Sequence, residues 1–290
     1  MHIFLENEFL AVGIRPMGAE LFSVKHKKNE LEYIWSGDPK FWGKTSPVLF
    51  PIVGTLKEDK YTYEGKSYAL SRHGFARDQK FDIAAQSADE ATFTLQHSPA
   101  TFANYPFHFE LSLGYKLIEN RLEVIYTVVN VGAGDQYFSL GAHPAFSVPL
   151  VPDTDYNDYY LLFNKVENAP RWPIAATGLI ERTPTPLLEN TDRLALRKDM
   201  FAKDAIVLKN LWSDTVSLKH PQHDHGLDFH FNGFPYLGIW STKNADFICI
   251  EPWCGIADGV DHDHDLTTKE GIQTLGPGKR WSRSWKVDFY

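Results

Sequence analysis

The sequence predicts an all-β fold, a large antiparallel β-sandwich, and three observations carry that expectation. Apolar and polar residues alternate with period two through most of the chain, as on strands with one buried face. Aromatic residues make up 14% of the 290 (8 Trp, 13 Tyr and 20 Phe), and flat rings pack well on a pleated surface. Helical periodicity is weak, so crossover helices between parallel strands find little support and antiparallel pairing is favoured.

In chain order, strands are expected over 8–14, 20–25 and 32–35, where short alternating runs occur. Residues 61–63 and 67–70 flank Glu64-Gly65-Lys66, a hairpin signal. After a run at 92–95 comes the clearest hairpin, 109–117 and 121–130, joined by Ile118-Glu119-Asn120. In its second strand Leu122, Val124, Tyr126 and Val128 share one face. Further strands are expected over 136–140, 159–163, 216–219, 227–231, 237–240, 247–251 and 281–289. The best helical stretch is 190–203, where Leu194, Leu196 and Met200 sit loosely at helical spacing and predict one or two turns. Seventeen prolines and twenty glycines punctuate the chain without forming a linker. With no internal repeat and no break in composition, residues 1–290 read as one domain.

Composition narrows the function. Lys and Arg number 29 against 37 Asp and Glu, a net charge of −8, which disfavours a broad nucleic-acid surface. Two cysteines, Cys249 and Cys254, rule out a disulfide scaffold and fit a reducing compartment. The N-terminal MHIFLENEFL lacks the basic region and cleavage site of a secretory leader, and no apolar run is long enough to span a membrane. A cytoplasmic protein without nucleic-acid or membrane partners is expected; oligomeric state is left open. Phosphate-loop, dinucleotide and nucleophile-elbow patterns do not occur.

Several polar positions stand out. Two His-Asp-His clusters, 223–225 and 262–264, resemble metal ligands, yet both lie in polar turn-like sequence outside any zinc pattern and read as solvated loops. His143 ends an apolar strand among small residues, in Gly141-Ala142-His143-Pro144-Ala145-Phe146. Glu251 closes a hydrophobic strand in Ile250-Glu251-Pro252-Trp253, where a carboxylate is costly to bury unless paired or used. His73 and Arg77 lie in His73-Gly74-Phe75-Ala76-Arg77, downstream of Phe50-Pro51-Ile52-Val53-Gly54.

Taken together, these three motifs resemble the aldose 1-epimerases, or galactose mutarotase-like proteins, nearly end to end and closest to the LacX-type branch. The resemblance implies a galactose mutarotase-like supersandwich that interconverts α and β anomers of a hexose without a cofactor or metal. It implies Glu251 as the base at O1, His143 as the acid at the ring oxygen, and His73 and Arg77 as substrate-binding groups. The sequence also departs from the pattern. Residues 53–57 lack the arginine of galactose mutarotases, and residues 43–47 lack the Arg-Gly-Gly of hexose-6-phosphate mutarotases. A neutral hexose is therefore expected over its 6-phosphate. The alternatives are a hexose-6-phosphate mutarotase, a silent sugar-binding protein on the same fold, and a metal-dependent β-sandwich enzyme using the His-Asp-His clusters.

Overall fold

The computed structural model describes residues 2–290, and antiparallel sheets dominate it. The largest has nine strands in the order Thr185–Ala195, Tyr160–Arg171, Thr215–Lys219, Leu227–His230, Arg280–Phe289, Arg121–Asn130, Phe109–Ile118, Glu90–Gln96 and Asp82–Gln86. Next to its central strand lies the expected hairpin: Phe109–Ile118 alternates buried and part-exposed positions almost without a break, and Ile118 pairs with Arg121 across a two-residue turn. Glu119 takes φ +54 there, as tight hairpin turns require.

A six-stranded sheet packs against it. Ile206–Lys209, Tyr236–Trp240, Phe247–Cys254, Leu140–Ala142 and Val48–Leu49 lie side by side, and Ala145–Ser147 also pairs with Phe247–Cys254. Ile239, Ile248 and Ile250 share one core with Leu113, Val124, Trp285 and Val287 of the larger sheet. That common core makes the sandwich. A three-stranded sheet (Ile3–Glu6, Leu10–Arg15, Glu20–His26) and two short ribbons complete it.

Phe247–Cys254 is buried along its whole length, yet its two faces differ. Ile248, Ile250 and Cys254 join the main core, whereas Cys249 and Trp253 belong to separate clusters on the opposite face. Glu251 lies between those two, so period two places it on their face. The face that carries Glu251 is therefore the one turned away from the sandwich interior.

Three expectations are corrected. Residues 190–203 are not helical: Thr185–Ala195 is the edge strand of the nine-stranded sheet, followed by a 3₁₀ turn at Lys198–Phe201. Its polar residues suit an exposed edge, and the Arg193 guanidinium lies 3.5 Å from the Tyr160 ring centre. Residues 32–35 make only isolated bridges, because the Glu32 carboxylate accepts the Val24 and Ile34 N–H groups (2.8 and 2.9 Å). The run at 136–140 breaks at Ser139, whose N–H donates to the Pro51 carbonyl (2.7 Å) as the chain passes from Gln136–Phe138 into Leu140–Ala142. The α-helix Pro99–Asn104 was not expected; Ser98 and Thr101 cap it reciprocally. Among the described residues, no helix is long and apolar enough to cross a membrane.

Candidate active site

Strand register builds the centre of the site. Gly141 pairs with Trp253 and Ala145 with Cys249, so His143, midway between, stands opposite Glu251. Their side chains meet, with His143 Nε2 3.3 Å from Glu251 Oε2. On the other flank Glu251 faces Gly238. A Cβ at Gly238 would lie 2.3 Å from the Trp253 ring and one at Gly141 2.5 Å from it, so both glycines make room for that indole.

The other motif folds as a clamp. His73 N–H donates to the Gly54 carbonyl (2.9 Å), and Gly54 N–H donates to His73 Nδ1 (3.1 Å). Phe75 and Ala76 N–H both donate to the Phe50 carbonyl. His73 and Gly74 are both at φ +70, and a Cβ on Gly74 would sit 2.4 Å from the Phe50 oxygen. Residues 50–54 and 73–76 are thus one structural unit, which explains why the two stretches occur together. Both His73 ring nitrogens face donors: Gly54 N–H reaches Nδ1 and Arg72 Nε–H reaches Nε2 (3.3 Å), and a neutral ring can accept from one of the two.

These elements border a cavity of about 440 Å³, within the usual range of small-molecule sites. It brings together His73, Arg77, His143 and Glu251, all four residues that the sequence nominated. Trp42 stacks on the His143 ring (4.8 Å, 28°) and Trp240 meets it edge-on (5.5 Å, 88°). Arg77 lies at the border with its Nη2 donating to the Arg72 carbonyl (2.9 Å) and its Nε 3.6 Å from Asp78. Arg72 projects more prominently: its two terminal nitrogens donate to both Asp204 oxygens, each at 3.1 Å. Lys44 instead donates to Asp78 (2.7 Å) and to the Arg77 carbonyl. Asp204, at φ +129, and Trp42 and Trp240 carried no motif and escaped the sequence reading. Backbone strain at a cavity-lining aspartate is the kind of feature that marks functional sites.

Burial sets the electrostatics. It lowers His143 to about 3, helped by the positive charges of Arg72 and Arg77. Burial also lowers His73, with His143, Arg72 and Arg77 acting the same way. Glu251 is raised well above the carboxylate range by burial, which outweighs the opposing pull of Arg72. Loss of hydration thus disfavours the charged form of both partners in the His143–Glu251 pair. Burial therefore favours the arrangement with a neutral imidazole and a protonated carboxyl.

The His-Asp-His clusters lie elsewhere. His223 stacks on His220 (4.3 Å, 5°) beside Tyr159, and His262 lies 3.8 Å from Asp258. Neither cluster lines the cavity.

Fold and site together define a β-sandwich protein with a buried histidine–glutamate pair in a tryptophan-walled cavity. The family model for aldose 1-epimerase matches residues 1–286, and the chain belongs to that family. It is 35% identical to Protein LacX, chromosomal, of Lactococcus lactis subsp. lactis, over 99% of each chain. Among solved structures it resembles a galactose mutarotase related enzyme from Lactobacillus acidophilus (TM-score 0.96, 34% identity, 100% of this chain and 97% of that one). A galactose mutarotase-like protein from Lactobacillus casei ATCC 334 is similar at TM-score 0.93 and 34% identity, with all of both chains covered.

Proposed function

We propose that this protein is a mutarotase that opens and recloses the pyranose ring of a neutral hexose. The observation that carries the reading is the cross-strand pair, His143 Nε2 against Glu251 Oε2 at 3.3 Å, inside a sugar-sized cavity. Ring opening moves two protons. The Glu251 carboxylate takes the proton from the O1 hydroxyl while the O1–H electrons form the C1 carbonyl. The C1–O5 electrons go to the ring oxygen, which takes a proton from the His143 imidazolium. Rotation about C1–C2 and the reverse transfers close the ring on the other face. The reactive arrangement, carboxylate plus imidazolium, has the same single proton as the neutral pair, so no net proton is taken up.

The surroundings support this reading. Trp42, Trp240 and Trp253 border the cavity, and indole rings suit the C–H groups of a pyranose. Arg72 Nε–H donates to His73 Nε2 (3.3 Å), which holds both side chains at the cavity border within reach of a sugar hydroxyl. The Arg72–Asp204 pair offers donors and acceptors side by side, matched to hydroxyl groups. Buried free thiols at Cys249 and Cys254 suit a cytoplasmic enzyme.

A second reading, a hexose 6-phosphate, draws on the cations Arg72, Arg77 and Lys203 around the cavity. The neutral sugar is favoured because Asp204 pairs with Arg72 and Arg77 is engaged with the Arg72 carbonyl. Polarimetry on freshly dissolved α-glucose and α-galactose tests the activity: the rotation should relax far faster with enzyme than without. Comparing kcat/KM for these sugars and their 6-phosphates tests the substrate. A phosphate preference above about tenfold, near 1.4 kcal/mol, that collapses in Arg77→Ala would replace the neutral hexose with the phosphate.

A further inference from the structure

The proton-transfer scheme makes no use of Cys249, although this thiol lies two residues from Glu251 on the same face of the strand. Donor atoms of His143, Cys249 and Glu251 all lie within 4.8 Å of one another, and all three residues are buried. Across the strand pairs Cys249 stands between Ala145, on the chain just past His143, and Trp240. Imidazole nitrogen, thiolate and carboxylate are all ligands that Zn²⁺ accepts, and three protein donors with a fourth position open to a cavity form a familiar zinc arrangement. Two ligands of one tetrahedral ion stand roughly 3.3–3.7 Å apart given Zn–ligand lengths of about 2.0–2.3 Å. The His143–Glu251 contact already meets that spacing at 3.3 Å, so only the sulfur has to approach.

We propose that His143, Cys249 and Glu251 form a binding site for a thiophilic divalent cation, with Zn²⁺ as the probe, and that its occupancy inhibits the enzyme. Coordination takes the imidazole lone pair and the carboxylate that proton transfer requires. The thiol proton and the carboxyl proton leave to solvent, and no electrons are exchanged. The inhibition rests on the mutarotase reading, whereas the binding itself does not.

Two measurements test it on the full chain. Co²⁺ titration should give one equivalent of binding with a sulfur-to-cobalt charge-transfer band, absent in Cys249→Ala and kept in Cys254→Ala, whose thiol faces the core. In polarimetry, Zn²⁺ should inhibit the wild type reversibly, with EDTA restoring the activity. Cys249→Ala should keep the metal-free rate and lose Zn²⁺ sensitivity by about tenfold or more. Glu251→Gln keeps the thiol and imidazole, and its weakened Co²⁺ binding would report on the site if Cys249→Ala failed to fold. Absence of the band in the wild type, unchanged Zn²⁺ sensitivity in folded Cys249→Ala, or activation by Zn²⁺ would each overturn the proposal. A protein that shows the Co²⁺ band but no mutarotation would overturn the functional reading and leave the metal site standing.

Discussion

His143 and Glu251 are neighbours by register: the strand pairs on either side, Gly141 with Trp253 and Ala145 with Cys249, place them directly across from one another. Their separation of 3.3 Å follows from strand geometry, and their protonation is set by burial rather than by a nearby counter-charge.

The pH–rate profile follows from that burial. Activity needs one proton on the pair. Adding a second requires an imidazolium that burial opposes, so the acidic limb should lie below the ordinary histidine value, towards 3. Removing the last one leaves a bare buried carboxylate, so the alkaline limb should lie well above the ordinary carboxylate range. A plot of kcat/KM against pH is expected to be a broad plateau across neutrality. A narrow peak between the ordinary carboxyl and imidazole values, about 4.5 and 6.5, would contradict the single-proton account.

His143→Asn and Glu251→Gln keep side-chain size but cannot relay protons. Each should fold and lose about 10²–10⁴ in kcat, the usual contribution of a positioned acid or base. Polarimetry with a far-ultraviolet circular dichroism control is the check, and near-wild-type rates in both would remove them from the mechanism.

Stability should respond to pH in opposite senses at the two positions. The depressed His143 contributes stability that is complete above about 6.5 and is lost as pH falls towards 3. Urea unfolding at pH 7.5 and 4.5 should therefore show the wild type losing about 2 kcal/mol more than His143→Asn. The raised Glu251 contributes stability below about 4.5 that is lost as pH rises, so Glu251→Gln should exceed the wild type in stability at pH 8. An inactive variant more stable than its parent would show that the carboxylate serves chemistry rather than folding.

Asp204→Asn removes the charge that balances Arg72 while keeping the shape. KM for a neutral hexose should rise about tenfold, equivalent to roughly 1.4 kcal/mol, as an oriented hydroxyl partner is lost. Affinity for the matching 6-phosphate should improve in the same variant, because the Arg72 guanidinium is released. Unchanged selectivity would place the pair outside the substrate's reach.

Gly238→Ala tests the packing beneath the site. Its Cβ would meet the Trp253 ring at 2.3 Å, so the indole must shift. A loss of about 1–3 kcal/mol is expected, together with a higher KM, read by thermal unfolding and steady-state kinetics.

Much of this arrangement was legible in the sequence. Local signals gave the 109–130 hairpin, because alternation and turn lie within one short window. The edge strand Thr185–Ala195 was misread because its polar residues carry no clean period, and its pairing with Tyr160–Arg171 is broken by register shifts. His73, Arg77, His143 and Glu251 announced themselves through residue type and motif, and all four border one cavity. Asp204, Trp42 and Trp240 did not, since their place depends on segments far apart in sequence. The two faces of Phe247–Cys254 could not be separated by periodicity, because both are buried. Only the chemistry of Cys249, Glu251 and Trp253 distinguishes the outward face.

The cavity floor is a patch of sheet whose reverse side is the sandwich core, and its flank is the stapled unit of residues 50–54 and 73–76. An exchange in either place disturbs packing that the whole molecule shares. The facing wall is different: Ile174, Gly178 and Ile180 come from one connection, and Lys203, Asp204 and Ala205 from another. Exchanges in that wall therefore touch less of the shared packing than exchanges in the floor or the flank. On the proposed function, a library randomised at Ile174, Gly178, Ile180 and 203–205 should change which sugar is taken while the His143–Glu251 pair stays in place.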